Sequence, residues 1–391
     1  MPEKKVYLDH SATTPLAAEV YEAMKPFLME NYGNPNSLHS WGMEARKSVD
    51  EGRASIARLV KADPREIIIT GGGSEADNLA VKGTAYALRE EGRHIITSAI
   101  EHHAVLDACN WLESQGFEIT VLPVDPAGMI RISDLKEAIR DDTILVTVMY
   151  ANNEVGTIQP VEDIVRTAKE RGARVHLDAV QAVGHIPVDV KALDVDLLTL
   201  SAHKMYGPKG VGALYIKRGV KIVPLIHGGG QEFGLRSGTE NTTGIVGFGA
   251  AAELARERLE EGAVESESRL RDLLLSGITD KIPHAHVTGH PLARLPFHAS
   301  VCFDYIEGES MLLRLNAAGI GASSGSACTS GSLEASHVLL AMGIPHELAH
   351  GSLRLTLGKN TTEEDILYVL ETLPKVVSDL RALSPLGKES S

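Results

Sequence analysis

The sequence predicts an α/β protein, with a mainly parallel seven-stranded sheet in a large domain and a smaller α+β domain after it. Apolar runs at 66–70, 94–97, 118–122, 144–149, 175–178, 196–200 and 212–216 are separated mostly by helical stretches. That alternation places helices on both faces of a parallel sheet. The last two runs are joined by a short Gly/Pro bend, too brief for a parallel crossover, so that pair is expected to be antiparallel. A chain of 391 residues also exceeds what one simple core accommodates.

Taken in order, Val6-Tyr-Leu8 reads as a short extended piece, 15–29 as a first helix, and Tyr32-Gly-Asn-Pro-Asn-Ser37 as a loop by composition. A long amphipathic helix is expected over about 41–60, ahead of the alternating region. Beyond that region, a stretch rich in Ala, Leu, Glu and Arg from Gly244 towards Ile278 reads as one long helix linking two domains. A strand at 299–303, a helix at 310–317, a small-residue loop at 323–332, a strand at 352–357 and a helix at 362–383 follow. The expected division is 15–260 for the large domain, with 1–14 and 261–391 forming the small one.

Composition narrows the function. With 38 Lys and Arg against 52 Asp and Glu, the net charge is −14, which argues against nucleic acid or an anionic membrane as the main partner. Met1-Pro-Glu-Lys-Lys5 leads into folded-looking sequence with no apolar signal region, and no spanning segment is visible. The three cysteines, Cys109, Cys302 and Cys328, show no paired spacing, so a reducing cytoplasm is the expected setting.

The chemistry-bearing residues fall where apolar strands run out. Leu197-Leu-Thr-Leu-Ser-Ala-His-Lys204 ends a buried strand in a polar turn carrying Ser201, His203 and Lys204. A desolvated ammonium is costly there unless its pKa falls or it condenses with an aldehyde cofactor; the plainer alternative is a solvated loop lysine. Arg174-Val-His-Leu-Asp178 is a second strand ending in a carboxylate, with Gln181 three residues on. In a parallel sheet Asp178 and Lys204 share the carboxyl edge, where open α/β sheets hold ligands. Together they are far more specific than either alone.

Thr70-Gly-Gly-Gly-Ser-Glu-Ala76 joins a strand to a helix and could cradle a phosphate on backbone N–H groups. Gly71-x-Gly73-x-x-Ala76 also fits a dinucleotide fingerprint, but that reading leaves Asp178 and Lys204 unexplained. His102 follows a strand, and an imidazole there can move protons; adjacent His102 and His103 diverge on a helix and make a poor metal chelate. Asn153 lies in a polar turn after a strand. Arg354, inside a strand pattern, suits a bidentate carboxylate grip, with a strand-face ion pair as the alternative. Gly321-Ala-Ser-Ser-Gly-Ser-Ala-Cys-Thr-Ser-Gly-Ser332 buries little apolar area, so composition alone predicts a mobile loop with an exposed Cys328, whereas Cys109 and Cys302 sit in apolar contexts.

Asp178-Ala-Val-Gln181 with Ser201-Ala-His-Lys-Met-Tyr-Gly-Pro-Lys-Gly210 resembles the pyridoxal-phosphate site of the cysteine desulfurases, and the resemblance runs from Tyr7-Leu-Asp-His-Ser-Ala-Thr-Thr-Pro15 to Leu383-Ser-Pro-Leu386. It implies a fold-type-I pyridoxal 5'-phosphate transferase, active as a homodimer. Lys204 would hold the cofactor, Asp178 its ring nitrogen, and Gly73, Ser74, Ser201 and His203 its phosphate, joined by Thr239 of the second subunit. Gln181 belongs to the same set. His102 would stack on the ring, and Asn153 and Arg354 would bind L-cysteine. Cys328 would take the sulfur as a persulfide and pass it to acceptors such as an iron–sulfur scaffold or a tRNA-thiolation carrier. Ser74 stands where Thr is more usual and Ala202 where Gly is common. Relatives on the same fold, such as selenocysteine lyases or small aminotransferases, need no loop thiol, and a non-catalytic binding platform would show degraded positions. Some family members extend beyond Leu-Ser-Pro-Leu to contact the scaffold, so docking by that route is not expected from a tail ending at Ser391.

Overall fold

The computed structural model describes residues 4–325 and 335–383. Its strands are β1 (Val6–Tyr7), β2 (Ile67–Thr70), β3 (His94–Ser98), β4 (Glu118–Leu122), β5 (Thr143–Met149), β6 (Arg174–Asp178), β7 (Leu197–Ser201), β8 (Gly212–Ile216), β9 (Ala285–Val287), β10 (His298–Phe303), β11 (Ile320–Gly321) and β12 (Ser352–Thr356). Each of the seven expected apolar runs is a strand, within a residue of the expected bounds. They form one sheet in the order β2-β8-β7-β6-β5-β3-β4. Pairing is parallel from β7 through β6, β5 and β3 to β4. β8 runs antiparallel to both β7 and β2, as its short connection requires.

Burial explains why these runs are strands. Every residue of β2, β3, β5, β7 and β8 is buried, as a sheet with helices on both faces demands, whereas edge strand β4 exposes Glu118 and Val121. Two helix expectations need correction. The single helix expected from Gly244 to Ile278 is two, Thr242–Glu260 and Ala263–Lys281, broken at Gly262. Gly262 takes φ +86°, the left-handed geometry that ends helices, and helix-forming composition on both sides hides the break. The helix expected over 15–29 divides into Ala18–Met24 and Pro26–Met29, because Pro26 has no N–H to continue the ladder.

A smaller antiparallel sheet has the order β12-β10-β9. β1 pairs in parallel with β11, some three hundred residues away by rough count along the chain. The strap that follows β1 therefore runs between the two sheets. The Thr356 N–H donates to the Leu8 carbonyl at 2.8 Å on one side, and the Thr14 N–H donates to the His203 carbonyl at 3.0 Å on the other. No described helix is long and apolar enough to cross a membrane.

One buried ion pair fixes the margin of the large sheet. Arg53, in helix Ser40–Leu59, grips Glu232 through both Nη atoms at 2.5 and 2.7 Å, and Glu232 also accepts the Ile69 N–H at 2.8 Å. Truncating one partner strands the other charge in the interior. Glu232→Ala is expected to cost about 3–5 kcal/mol, read as a lowered denaturant midpoint at an unchanged m-value.

Candidate active site

The carboxyl edge of the large sheet delivers one functional stretch per strand: Gly71–Ser74 after β2, His102 after β3, Asn153 after β5, Asp178 at the end of β6, and Lys204 in the turn after β7. Gly73, Ser74, His102, Asn153, Asp178 and Lys204 line a cavity of about 330 Å³ together with Gln181, Ser201, His203 and, from β12 of the small sheet, Arg354.

A second cavity of about 500 Å³ shares Gly73, Ser74, Ser201 and His203 with the first and is lined further by Gly71, Gly72, Glu75 and Lys209. The helix Gly73–Leu88 starts here, and its N-cap Gly72 supplies no side-chain acceptor to the first turn. A Cβ on Gly73 would sit 3.0 Å from Val180 Cγ2, so glycine lets the backbone come close to the strand ends. The Ser201 hydroxyl is buried without a hydrogen-bond partner among the described residues. An uncapped helix start, an orphaned hydroxyl and Lys209 fit a phosphate. Glu75 steadies the loop, accepting the Gly71 N–H at 2.9 Å while pairing with Arg236 at 2.8 Å.

At the centre, buried Asp178 accepts the Val180 N–H at 3.0 Å. Burial pushes its carboxyl up, opposed by that hydrogen bond and by the nearby His102 and Lys204. A buried acid so placed fits a protonated pyridine nitrogen, which would restore its charge. His102 caps helix His103–Ser114: its Nδ1 accepts the Ala104 N–H at 3.1 Å, so the neutral ring carries its proton on Nε2. Burial lowers its pKa. The Lys204 ammonium donates to the Ser11 carbonyl and, at 2.8 Å, to the Ala12 carbonyl, while Gln181 Nε2 also donates to Ser11 O at 3.0 Å.

At the far end, Arg354 is fully buried. Its Nη1 donates to the Asn153 carbonyl at 2.9 Å and its Nη2 to Asp9 Oδ1 at 3.0 Å, leaving Nε without a partner among the described residues. The guanidinium is thus pre-aimed by two of its five N–H donors, with Nε–H among those left over.

The class-V aminotransferase family matches residues 6–369, nearly the whole chain. The chain belongs to this family. Within it, the chain is 56% identical to a cysteine desulfurase IscS of Methanosarcina thermophila, over 98% of its own length and 94% of the relative's. It is 53% identical to a cysteine desulfurase IscS of Dictyoglomus turgidum, over 99% and 98%. Of the solved structures, a NifS-like protein aligns with a TM-score of 0.91 at 42% identity, covering 96% of this chain and all of that one. A complex described as SspA with cysteine aligns at 0.79 and 37%, covering 90% and 99%. This class-V aminotransferase is a member of the cysteine desulfurases.

Of the residues expected at the site, the structure gathers Gly73, Ser74, His102, Asn153, Asp178, Gln181, Ser201, His203, Lys204 and Arg354 around the one cavity. Thr239 is exposed and lines neither cavity. Cys328 lies outside the described residues. Sequence reasoning misses Asp9, Ser11 and Ala12, whose backbone and carboxylate hold Arg354 and Lys204. Their only signal is a short polar run between a strand and a helix.

The buried titrating groups predict a stability optimum. Burial lowers His102, His176, His185, His203, His298 and His337, with His176 and His185 driven to about 3 and His203 to about 4. Below the ordinary histidine pKa the unfolded chain takes up protons that the native imidazoles refuse, so stability falls as pH drops. Burial raises Asp77, Asp178, Glu101 to about 8, and Glu154 to about 7. The native state keeps these protons where the unfolded chain has lost them, and that contribution disappears as pH climbs through 7–8. Thermal melting of the ligand-free protein is expected to peak near about pH 6.5; a melting temperature rising steadily to alkaline pH would contradict this.

Proposed function

We propose that this chain is a pyridoxal-phosphate-dependent cysteine desulfurase, converting L-cysteine to L-alanine with transfer of sulfur to Cys328. The observation that carries the reading is the convergence, in one cavity, of an acid and an amine from adjacent parallel strands with an arginine from the small sheet. Gly73, Ser74, Ser201 and His203 would hold the cofactor phosphate, Asp178 its ring nitrogen, Lys204 its aldehyde carbon, and Asn153 and Gln181 its remaining polar edge. When bound, the cofactor supplies an electron sink for bonds broken next to the substrate's amino group.

The protein's residues do the rest. Arg354 takes the substrate carboxylate with Asn153 beside it, fixing the amino acid against the strand ends. His102 and Lys204 hold and move the protons that leave and return to substrate carbon and nitrogen. Cys328, as thiolate, attacks the substrate sulfur. A sulfur–sulfur bond forms, the carbon–sulfur bond breaks with its electron pair left on carbon, and protonation there gives the methyl group of alanine. The enzyme keeps a Cys328 persulfide.

Thr239, exposed in one chain, would complete the phosphate site of a second copy, which makes the active form a homodimer. The persulfide's recipients would be sulfur-acceptor proteins, including an iron–sulfur scaffold and tRNA-thiolation carriers, in the cytoplasm. The test is incubation of the cofactor-loaded chain with L-cysteine: alanine should appear, and the Cys328 peptide should gain the mass of one sulfur. Absence of both overturns the proposal.

A further inference from the structure

We propose that Glu154 is a positioning residue that ties both ends of the segment carrying Cys328 to the turn that holds Arg354; the proposal rests on the desulfurase reading above. Glu154 follows Asn153 in the turn after β5. That turn does not need the Glu154 side chain for its own shape. The Asn152 side chain supplies it, accepting the Glu154 and Val155 N–H groups at 2.8 and 2.9 Å while donating to the Ile100 carbonyl at 2.9 Å. The Glu154 carboxyl is free for another task, and it is buried.

What it meets is the two ends of residues 325–336. The Ser336 hydroxyl donates to Glu154 Oε2 at 2.5 Å and accepts the Leu339 N–H at 3.2 Å, capping the helix His337–Ala341. Gly325 arrives at the same oxygen from the other side: a Cβ on Gly325 would lie 3.0 Å from Glu154 Oε2, 3.2 Å from Ser336 Cβ and 3.4 Å from Ser352 Oγ. Its N–H donates to that Ser352 hydroxyl at 3.2 Å. Just before it, Ser323 exchanges backbone hydrogen bonds with Arg354 at 2.7 and 3.2 Å. In sequence Cys328 therefore lies between Ser336, hydrogen-bonded to the buried carboxyl, and Gly325, packed close to it, with Ser323 in register with Arg354 just before. Burial lifts that carboxyl to about 7, opposed by the Ser336 hydrogen bond and by Arg354, so it costs little to keep neutral in place.

A positioning role predicts a split between binding and transfer. In the cofactor-loaded full chain, Glu154→Ala should leave the half-saturating L-cysteine concentration for the cofactor absorbance change within about twofold, yet slow sulfur loading of Cys328 roughly 10–100-fold, the usual effect of displacing a reacting group. Glu154→Gln keeps an oxygen for the Ser336 hydroxyl and should recover most of that rate. Ser336→Ala should show the same split more weakly. Equal loss of binding and transfer in Glu154→Ala, or no rescue by Gln, overturns the proposal. Amide exchange at Gly325 and Leu339 is independent of turnover. It should quicken in Glu154→Ala; unchanged exchange rejects the tie whatever the activity, whereas a wild type that makes no alanine rejects the desulfurase reading alone.

Discussion

Replacing Lys204 with alanine is expected to lower alanine formation from L-cysteine by roughly three to four orders of magnitude. The side chain is asked to bond covalently to an aldehyde, which no neighbour can take over, and to share with His102 the transfer of protons to and from substrate carbon. Its placement is built for this. The turn after β7 sets it one strand from Asp178, and carbonyls of Ser11 and Ala12 orient its ammonium from the strap between the sheets. Neighbouring His102 keeps a proton-transfer group in the variant but offers no amine. The fold should survive, because Gln181 still donates to the Ser11 carbonyl that the lysine leaves. The check is direct. After incubation with pyridoxal phosphate and borohydride, the wild-type Lys204 peptide should carry a pyridoxyl mass, and the variant should carry none there and turn over no cysteine above background. Activity retained within tenfold would remove Lys204 from the chemistry.

Strand-end logic makes the centre of the site legible in the amino-acid sequence. Most of the large sheet can be read because its inner strands are buried on both faces and are largely apolar, and a run that stops at Asp178 or just before Lys204 announces itself. The short strands of the smaller sheets lack that signature. β9 has a single half-buried residue, and β11 is two residues long; neither leaves a pattern to read. The strap is invisible for a different reason. Asp9 and Ser11 act only because β1 pairs with β11 and Asp9 itself bridges to Thr356 at the far end of the chain, contacts no local pattern encodes. Glu154 is hidden in the same way, since in sequence it is one more polar residue of a turn. Arg354 is legible as an anomaly, a charge in an apolar strand, but its partners Asp9 and the Asn153 carbonyl are not. Local chemistry marks which residues are unusual, and topology decides what each one touches.

Cys328→Ala is expected to abolish persulfide formation while leaving cofactor capture intact. The chain offers two other thiols, and neither can substitute. Cys109, inside helix His103–Ser114, and Cys302, inside β10, are both buried, and burial pushes each thiol up to about 12. At neutral pH about one such group in 10⁵ is thiolate, the form that attacks sulfur, and neither cysteine lines the cavity. With the other two thiols of the chain buried in this way, a substrate seated by Arg354 would find no thiolate to take its sulfur, so alanine formation should fall by roughly 10²-fold or more. In contrast to Lys204→Ala, the pyridoxyl mass on Lys204 and the absorbance response to L-cysteine should persist. That pairing separates capture of the amino acid from removal of its sulfur: one variant loses both, the other only the second. Sulfur found on the Cys109 or Cys302 peptide of Cys328→Ala, or undiminished alanine output, would assign the nucleophile elsewhere. A Cys109→Ala, Cys302→Ala double variant that keeps full activity would complete the assignment from the other direction.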